Sequence, residues 1–338
     1  MINTLIVDDS ALARNILRDF LEGDGSFNII GEAEDGEEGI QKILSLNPDL
    51  VTLDIEMPKM NGLEVIETVS KKSSVPIVVI TSHDTAKTAY EATVRGALEF
   101  YSKDTFSASL SLGKRREIYE TLKRISGVKA LKSKVFIEPP LPKQPEKRKI
   151  RAVVLASSTG GPRALSAFFS LLPADFPVPI IIVQHNSSGF DKSFAQWLDT
   201  YTNLNVKVAE EGEVPSAGTV YVAQTDRHLE LRQKAGQDCC LCYNNNEPEN
   251  NQKPAADVLF RSAAESLRES LISIVLTGMG SDGALGTQRI REMGGITLAQ
   301  DEESSLIYGM PKAAVETGCV DMVLPLQSIP GELVKLTK

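Results

Sequence analysis

The chain has 338 residues and a formal net charge of −9, which disfavours nonspecific binding to nucleic acid. A chain of this length exceeds one ordinary hydrophobic core, so we expect two domains. No apolar run reaches the roughly 18 residues of a membrane-spanning helix, and the first residues lack the pattern of a signal peptide. The sequence therefore predicts a cytoplasmic protein without direct membrane insertion.

The charge changes sign in one segment, residues 126–149. This segment holds seven Lys or Arg, two Glu and four Pro, whereas residues 1–125 and 150–338 are both acidic. Its composition is typical of an extended, solvated linker. We therefore predict an N-terminal domain over 1–125, a basic Pro-rich linker over 126–149 and a C-terminal domain over 150–338. A nucleic-acid-binding arm is the less favoured interpretation, because no DNA-reading motif flanks the segment.

Strand-like and helix-like segments alternate in the first domain. Five βα units of the observed length predict a parallel, doubly wound α/β sheet, and the working site of such a sheet lies at the carboxyl ends of its strands. The apolar runs lie at residues 2–7, 28–33, 49–53, 76–81 and 98–101, and the amphipathic segments at about 10–22, 36–46, 61–71, 85–95 and 105–125.

Charged and polar residues follow these predicted strands. They are Asp8 and Asp9 after the first, Asp54 after the third, Thr81 at the end of the fourth and Lys103 after the fifth. Clustered carboxylates repel one another unless a cation neutralises them, and an all-oxygen site suits Mg²⁺. A carboxylate beside Mg²⁺ and a lysine can accept a phosphoryl group. The alternative, solvated acids at loop ends, is disfavoured by the matched placement of all five residues.

These residues, together with the segment from Leu53 to Gly62 (Leu-Asp-Ile-Glu-Met-Pro-Lys-Met-Asn-Gly), resemble the response-regulator receiver family. The resemblance covers about residues 1–125 and implies a (βα)5, flavodoxin-like fold. It implies further that Asp54 is the phosphoacceptor. By the same resemblance, Mg²⁺ is held by Asp8, Asp9, Asp54 and the backbone carbonyl of Glu56.

The receiver resemblance also assigns residues around the phosphoryl group. Thr81 and Lys103 would contact that group, and Phe100 stands where the family has its switch aromatic residue. Asp104 is a departure, because many receivers carry proline after the lysine. That departure concerns the cis peptide bond usual at this turn and not the phosphorylation chemistry.

In the second domain an apolar strand runs directly into Ser157, Ser158 and then Gly160-Gly161-Pro162 at the start of a helix. The first backbone N–H groups of a helix have no intrahelical partner and favour an oxyanion or a phosphate. Ser158 is therefore either an activated nucleophile or a neighbour of a bound anion. The alternative is that the two serines only cap the helix, which is the commoner role for such a segment taken alone.

Further strand and helix signals predict a second doubly wound parallel α/β domain, with a β-hairpin insertion. Strands are predicted at residues 178–183, 206–209, 219–222, 228–232, 239–243 and 271–277, and a helix at about 255–268. A serine nucleophile usually needs an imidazole base. His185 and Asp282 each lie just past a predicted strand, so Ser158, His185 and Asp282 would meet at one sheet edge as a Ser-His-Asp triad. His185 alone would be interpreted as a hydrogen-bonded loop histidine.

The second domain resembles the chemotaxis protein-glutamate methylesterase family, CheB. The matching segments are Ser158–Gly161, Gln184-His185, Asp226–His228, Leu276–Ala284, Gln300 and Gly309–Pro311. The resemblance implies that Ser158 is the nucleophile, His185 the general base and Asp282 the group that orients it. It also implies that the N–H of Met279 helps to stabilise the oxyanion and that Thr159 borders the site. Asn186 and residues 252–257 depart from the family pattern, outside the triad.

The same resemblance implies a phosphorylation-activated enzyme that demethylates glutamate methyl esters on methyl-accepting chemoreceptors. Deamidation of receptor glutamines is implied as a further activity, and no cofactor is implied for the esterase reaction. The phosphodonor would be a chemotaxis histidine kinase. Two alternatives stay open at this point: an output domain that only binds a partner or second messenger, and a DNA-binding regulator, which the acidic second domain disfavours.

Overall fold

The computed structural model describes residues 1–82, 86–106, 110–128, 149–233 and 238–338. The chain divides into two units, Met1–Ser133 and Lys134–Lys338. Most of the predicted linker, 126–149, lies outside the described residues, so the linker and the domain limits set by it stay predictions. Among the described residues, no helix is long and apolar enough to span a membrane.

The first unit is an alternation of strands and helices around one parallel sheet. The sheet has the strand order β2-β1-β3-β4-β5, and all its pairs are parallel. This arrangement confirms the doubly wound α/β fold expected for this half. The strands are β1 (Ile2–Val7), β2 (Phe27–Ala33), β3 (Leu50–Leu53), β4 (Ile77–Thr81) and β5 (Glu99–Ser102), and the helices are α1 (Ala11–Glu22), α2 (Gly36–Leu46), α3 (Gly62–Lys72), α4 (Ala86–Arg95) and α5 (Leu112–Ser126).

Local sequence explains where these elements begin and end. The central strands β3 and β4 are short apolar runs that are buried throughout, as expected for strands covered on both faces. Four of the helices begin at side chains that accept a backbone N–H: Ser10 for α1, Asp35 for α2, Asn61 for α3 and Ser111 for α5. Glu64 completes a capping box with Asn61.

The fifth helix is where the structure departs most from the sequence prediction. A helix from about residue 105 was expected, but α5 begins at Leu112 and a short 3-10 helix occupies Lys103–Phe106. Phe106 is buried and packs edge-on against Phe20 with ring centroids 4.9 Å apart. That contact turns the segment back into the core. The helix begins after Ser111, whose Oγ accepts the N–H of Lys114.

The second unit contains a seven-stranded sheet with the order β14-β13-β12-β6-β7-β9-β8. All pairs in this sheet are parallel, and β10 and β11 form a separate antiparallel hairpin. The predicted fold with its β-hairpin insertion is therefore confirmed. The strands are β6 (Ala152–Ser157), β7 (Ile180–Gln184), β8 (Asn205–Val208), β9 (Thr219–Val222), β10 (His228–Gln233), β11 (Cys239–Asn244), β12 (Leu271–Val275), β13 (Ile296–Gln300) and β14 (Met322–Leu324).

The helices of this unit are α6 (Gly161–Phe169), α7 (Asp191–Asp199), α8 (Ala256–Leu267), α9 (Ala284–Glu292), α10 (Met310–Glu316) and α11 (Ile329–Thr337). Helix α8 contacts both the hairpin and the strands β6 and β12 of the sheet. Two of its serines bond to one residue of β10: Ser262 Oγ accepts the N–H of Leu231, and Ser266 Oγ donates to the carbonyl of Leu231. The hairpin is therefore fixed to α8 by hydrogen bonds as well as by apolar packing.

Candidate active site

Three neighbouring strands of the second sheet bring the predicted triad to one edge. Ser157 of β6 pairs with Gln184 of β7, so Ser158 and His185 both come directly after paired residues. The N–H of His185 donates to the carbonyl of Ser157 over 3.0 Å. Asp282 lies in the loop between β12 and α9, and β12 is the neighbour of β6 on its other side.

His185 and Asp282 form a buried pair. Nε2 of His185 lies 2.8 Å from Oδ2 of Asp282, and the two side chains are only 7% and 2% exposed. A carboxylate can only accept, so Nε2 carries a proton in this pair, and in the neutral imidazole the lone pair is on Nδ1. Nδ1 is buried and has no hydrogen-bond partner in the described part of the chain. Ser158 is half-buried, and no hydrogen bond joins its Oγ to the imidazole among the described residues.

The buried side chain of Gln184 connects the serine and histidine segments. Its Nε2 donates to the carbonyls of both Ser158 (3.1 Å) and His185 (2.9 Å). Its Oε1 accepts the hydroxyl of Ser157 over 2.7 Å. The sequence analysis used Gln184 only as part of a matching segment and missed this role. The one available signal was a polar residue at the end of a fully apolar strand.

Two glycines allow the backbone to approach these side chains closely. A Cβ at position 161 would lie 2.0 Å from Oε1 of Gln184, and a Cβ at position 278 would lie 2.8 Å from Cβ of Ser158. Both distances are far inside van der Waals contact, so any larger residue would displace the groups that define the site.

The loop after β12 is held against the serine segment by Thr277. Its Oγ1 donates to the carbonyl of Thr159 over 3.0 Å, and its N–H donates to Oε1 of Gln300 over 2.8 Å. Gln300 in turn donates to the carbonyl of Ser304. Thr159 is itself buried, and its place at the border of the site stays a prediction. Met279 follows in the same loop and is half-buried.

Asp282 also caps helix α8 from outside the helix. Its Oδ2 accepts the N–H of Ala256 over 2.7 Å, and its Oδ1 accepts the N–H groups of Asp257 and Gly283 over 3.0 and 3.1 Å. The residue before α8 is an alanine with no side-chain acceptor of its own. The carboxylate of Asp282 therefore satisfies two of the orphan N–H groups of α8 and lies at the positive end of the helix dipole.

The pKa of Asp282 follows from this environment. Burial raises the pKa, but the hydrogen bond and charge of His185 and the backbone N–H groups together lower it by a larger amount. The pKa of Asp282 therefore lies below the ordinary value. Asp282 is therefore an anion at neutral pH. An anion at this position keeps the Nε2 proton of His185 in place and stabilises an imidazolium.

A second buried carboxylate, Asp257, lies beside Asp282. It is 0% exposed, and its Oδ1 accepts the N–H of Gly286 over 2.6 Å. The amide Nδ2 of Asn250 donates to Oδ2 of Asp257 over 2.8 Å and also to Oδ1 of Asp282 over 3.2 Å. Burial and the charge of Asp282 raise the pKa of Asp257 to about 6. The sequence analysis noted this segment only as a departure from a family pattern and missed the carboxylate pair.

The other described histidine, His228, has a structural role. It is buried, its Nδ1 accepts the N–H of Ala255 over 3.1 Å, and its Nε2 lies 3.0 Å from the carbonyl of Glu247. Both ring nitrogens are therefore occupied, and His228 supports the segment that leads into α8. His83, the third histidine of the sequence, lies outside the described residues.

The first unit gathers its acidic residues at the carboxyl edge of its own sheet. Asp8, Asp9 and Asp54 each offer a carboxylate oxygen, and these oxygens lie within 4.8 Å of one another. Nζ of Lys103 lies 2.7 Å from Oδ2 of Asp54 and 2.8 Å from Oδ2 of Asp8. Asp8 and Asp54 are buried, whereas Asp9 is exposed. The residue set expected from the sequence is thus in one place.

The pKa values of the charged residues at this edge are subject to effects of opposite sign. Burial raises the pKa of Asp54, Lys103 lowers it and Asp8 raises it, and the net direction is upward. For Lys103, burial lowers the pKa, but the carboxylates of Asp54 and Asp8 raise it by a larger amount. The ammonium group therefore stays charged. One cation thus lies between two buried carboxylates, and a further cation fits the charge that remains.

The remaining predicted receiver residues lie on strands β4 and β5 and in the loop after β3. Thr81 ends β4 and is buried. Phe100 is also buried and makes an edge-to-face contact with Tyr90, with ring centroids 4.7 Å apart. Glu56 is exposed in the loop after β3. Among the described residues the only cis peptide bond is Lys253–Pro254, so the bond before Asp104 is trans.

Arg14 is a residue of this edge that the sequence analysis missed. It is buried, and its Nη1 donates to the backbone carbonyls of Asp8 (2.8 Å) and Asp9 (3.3 Å). Its remaining nitrogens pair with Glu32 and Glu34. Arg14 therefore fixes the backbone that carries two of the acidic side chains. Its place on the amphipathic helix α1 was visible in the sequence, but its burial was not.

Known protein families match both halves of the chain. The family model described as CheB methylesterase matches residues 153–333, and the model described as response regulator receiver domain matches residues 4–111. The chain is 39% identical to the protein-glutamate methylesterase/protein-glutamine glutaminase of Pyrococcus horikoshii, over 99% of this chain and 93% of that protein. The chain belongs to the CheB methylesterase family. Membership in the CheB family makes it a hydrolase that carries a receiver domain.

Two further similarities extend the comparison with the CheB family. The protein of the same name from Thermotoga maritima is 37% identical, over 99% of this chain and 98% of its own length. The crystal structure of the T. maritima CheB methylesterase catalytic domain aligns with a TM-score of 0.54 and 41% identity, covering 56% of this chain and all of that domain. The family resemblance inferred from the sequence is therefore confirmed, and so is the enzyme class.

The close approach of Gly161 to Gln184 predicts that Gly161→Ala disrupts the site. The added methyl group must displace the Gln184 amide, which holds the backbone of both Ser158 and His185. We expect roughly a 100-fold loss of esterase turnover, because misplacement by about 1 Å is enough for that. The control is Gly331→Ala, since a Cβ there meets nothing within 4 Å. Equal activity of the two variants would contradict this account of Gln184.

The raised pKa of Asp257 predicts a pH-dependent stability. At pH values between the ordinary pKa of an aspartate and about 6, Asp257 holds a proton in the folded chain but not in the unfolded chain. The contribution of Asp257 to the free energy of unfolding therefore falls as the pH rises through this range. Relative to Asp257→Asn, we expect wild type to lose about 2 kcal/mol of unfolding free energy between about pH 4.5 and 7.5. Urea unfolding followed through the single tryptophan, the buried Trp197, measures the difference. A difference that does not change with pH would show that Asp257 is not protonated in the folded chain.

Proposed function

We propose that this chain is a phosphorylation-activated protein-glutamate methylesterase that demethylates glutamate methyl esters on methyl-accepting chemoreceptors and deamidates specific receptor glutamines. The observation that carries the proposal is the 2.8 Å hydrogen bond between His185 and Asp282, at a sheet edge where Ser158 follows the adjoining strand. Family membership and the names of the relatives support the reaction type. A cytoplasmic location remains part of the same proposal.

In the proposed first half-reaction Ser158 acts as the nucleophile. Its Oγ attacks the γ-carbonyl carbon of the ester, and its proton passes to Nδ1 of His185, the ring nitrogen that does not contact Asp282. The imidazolium so formed is stabilised by the Asp282 carboxylate. When the tetrahedral intermediate collapses, the bond from carbon to the methoxy oxygen breaks. Nδ1 returns its proton to that oxygen, and methanol leaves an acyl-enzyme on Ser158.

In the second half-reaction water replaces the serine. His185 takes a proton from water, the resulting hydroxide oxygen bonds to the acyl carbon, and the bond to Ser158 Oγ breaks as that oxygen regains a proton. The products are a glutamate carboxyl group and free enzyme. A glutamine side chain follows the same course, except that its amide nitrogen is protonated and leaves as ammonia.

We assign stabilisation of the oxyanion to the backbone N–H groups of Thr159 and Met279. Thr159 directly follows the nucleophile at the turn into α6, and Met279 follows Gly278, whose backbone lies against Ser158. Preorganised N–H donors at such a point are worth a large part of the rate enhancement in acyl transfer.

The receiver region supplies the proposed switch. Oδ of Asp54 would accept a phosphoryl group from the phosphohistidine of a chemotaxis histidine kinase, with the P–N bond broken and a P–O bond formed. Lys103 already lies 2.7 Å from Asp54, and we assign it, with Thr81, to contacts with the phosphoryl oxygens. Phe100 is assigned as the aromatic residue that reports the phosphorylated state to its surroundings.

We propose that a magnesium ion binds at the acidic cluster, where three carboxylate oxygens lie within 4.8 Å of one another and Lys103, among the described residues, offsets part of their charge. We propose that Asp8, Asp9, Asp54 and the carbonyl of Glu56 hold it. When bound, the ion supplies positive charge beside the transferred phosphoryl oxygens. The esterase reaction proposed above uses side chains, backbone N–H groups and water.

Ser158→Ala tests the nucleophile. We expect methanol release from methylated receptor to fall by roughly 10⁴-fold or more, since removal of a triad nucleophile has effects of that order. Labelling by a fluorophosphonate probe should also be lost. The matched control is Ser170→Ala, a serine at the exposed end of α6. Retained turnover in Ser158→Ala would remove this serine from the mechanism, and an unlabelled wild type would favour an output domain that only binds partners.

Asp54→Asn tests the switch. Acetyl phosphate should stimulate methanol release by the wild-type chain but not by this variant, because an amide cannot accept the phosphoryl group. Asp49→Asn serves as the control, since Asp49 bonds to the N–H of Asn3 away from the acidic cluster. The basal rate without acetyl phosphate should be similar in all three proteins. Stimulation that persists in Asp54→Asn would place the phosphoacceptor elsewhere.

A further inference from the structure

Two carboxylates lie side by side at the N-terminus of α8. Asp257 is 0% and Asp282 is 2% exposed, and the backbone N–H of Asp257 donates to Oδ1 of Asp282. Two anions in such a place repel each other strongly, because little water screens them. Asp282 is hydrogen-bonded to His185, so the repulsion acts directly on the carboxylate that orients the imidazole.

The side-chain amide of Asn250 bridges the two carboxylates. Its Nδ2 lies 2.8 Å from Oδ2 of Asp257 and 3.2 Å from Oδ1 of Asp282. An amide nitrogen carries two hydrogens, so one can go to each anion. The residue itself is at the surface, and its amide reaches inward over the pair.

The turn that carries Asn250 is held in place independently of the carboxylates. Glu249 and Gln252 exchange backbone hydrogen bonds of 3.1 and 2.9 Å. The two residues between them, Asn250 and Asn251, have φ values of 55° and 61°, as in the type I′ turns that favour asparagine. Arg261 of α8 binds Glu249 through both terminal nitrogens, at 2.5 and 2.6 Å.

We propose that Asn250 is a positioning residue, which holds Asp282 toward His185 by donating one hydrogen to Asp282 and the other to the second anion, Asp257. The inference rests on the proposed function of the triad and deepens it. A neutral donor stabilises both anions without cancelling the negative charge that the imidazolium requires. Asn250 itself touches no reacting atom in this account.

The charged groups around the pair agree with this role. Asp257 is close to Asp282, which lies in the loop before α9, and to Arg261, which lies on the same helix as Asp257. His185 lies on the other side of Asp282. Burial and the charge of Asp282 raise the pKa of Asp257 to about 6, while Asn250 and the N–H of Gly286 lower it. Both groups are therefore predominantly ionised at neutral pH. Without Asn250 the repulsion between the two carboxylates would act against the backbone hydrogen bonds of Asp282 and weaken its alignment with the imidazole.

Asn250→Gly tests the proposal, because glycine accepts the left-handed backbone conformation and removes the side chain that carries the amide. Asn251→Gly is the matched control: it lies in the same turn with a similar φ and has an exposed side chain. In the full chain, stimulated with acetyl phosphate, we expect Asn250→Gly to lower kcat for a methylated receptor fragment by roughly 10- to 100-fold with little change in KM. Labelling of Ser158 by a fluorophosphonate should slow in parallel. Asn251→Gly should stay within about twofold of wild type.

The double variant Asn250→Gly, Asp257→Asn separates positioning from a merely structural role. Removing the second charge removes the repulsion that Asn250 offsets, so the double variant should be more active than Asn250→Gly alone. If Asn250 only stabilises the turn, replacing the Asp257 carboxylate by an amide should not raise the activity above that of Asn250→Gly.

The outcomes are distinct. The proposal is overturned if Asn250→Gly behaves like Asn251→Gly, or if the double variant is no more active than Asn250→Gly. In either case Ser158→Ala still reports on the triad. Full activity in Ser158→Ala, by contrast, would overturn the proposed function itself.

Discussion

The carboxylate of Asp282 is the constraint on which the second unit depends. It accepts hydrogen bonds from the imidazole of His185, from three backbone N–H groups and from the amide of Asn250. Hydrogen bonds to an ionised, buried acceptor are among the stronger ones in proteins. The donors come from a strand end, a helix start, a loop and a surface turn, so one anion orders four separate segments. The imidazole is oriented because the carboxylate cannot rotate without losing its other donors.

The two units stabilise paired buried carboxylates in different ways. In the receiver unit the ammonium of Lys103 lies between Asp8 and Asp54. In the second unit a neutral amide lies between Asp257 and Asp282. The difference suits the chemistry proposed for each edge. An incoming phosphoryl group is itself an anion and benefits from a cation already present, whereas a histidine that must become positive benefits from an uncancelled negative charge.

The sequence was sufficient for the fold class and for the residues at the strand ends. Buried parallel strands are short apolar runs, and a polar residue directly after such a run has only one edge of the sheet on which to lie. Contacts among loops could not be predicted in the same way. Asn250 is 32 positions from Asp282 in the chain, and its role depends on a turn whose geometry no periodic pattern encodes. The predicted start of α5 was wrong, because burial of Phe106 favoured a 3-10 helix at that point. The elements after residue 283, including the three-residue strand β14, were not predicted.

The attachment of the β10–β11 hairpin to α8 has a mechanical consequence. Because Ser262 and Ser266 bond to the backbone of Leu231, the hairpin and the helix form one body, and the N-terminus of that helix supplies two of the donors to Asp282. A small tilt of the hairpin is therefore a displacement of the acid that orients His185.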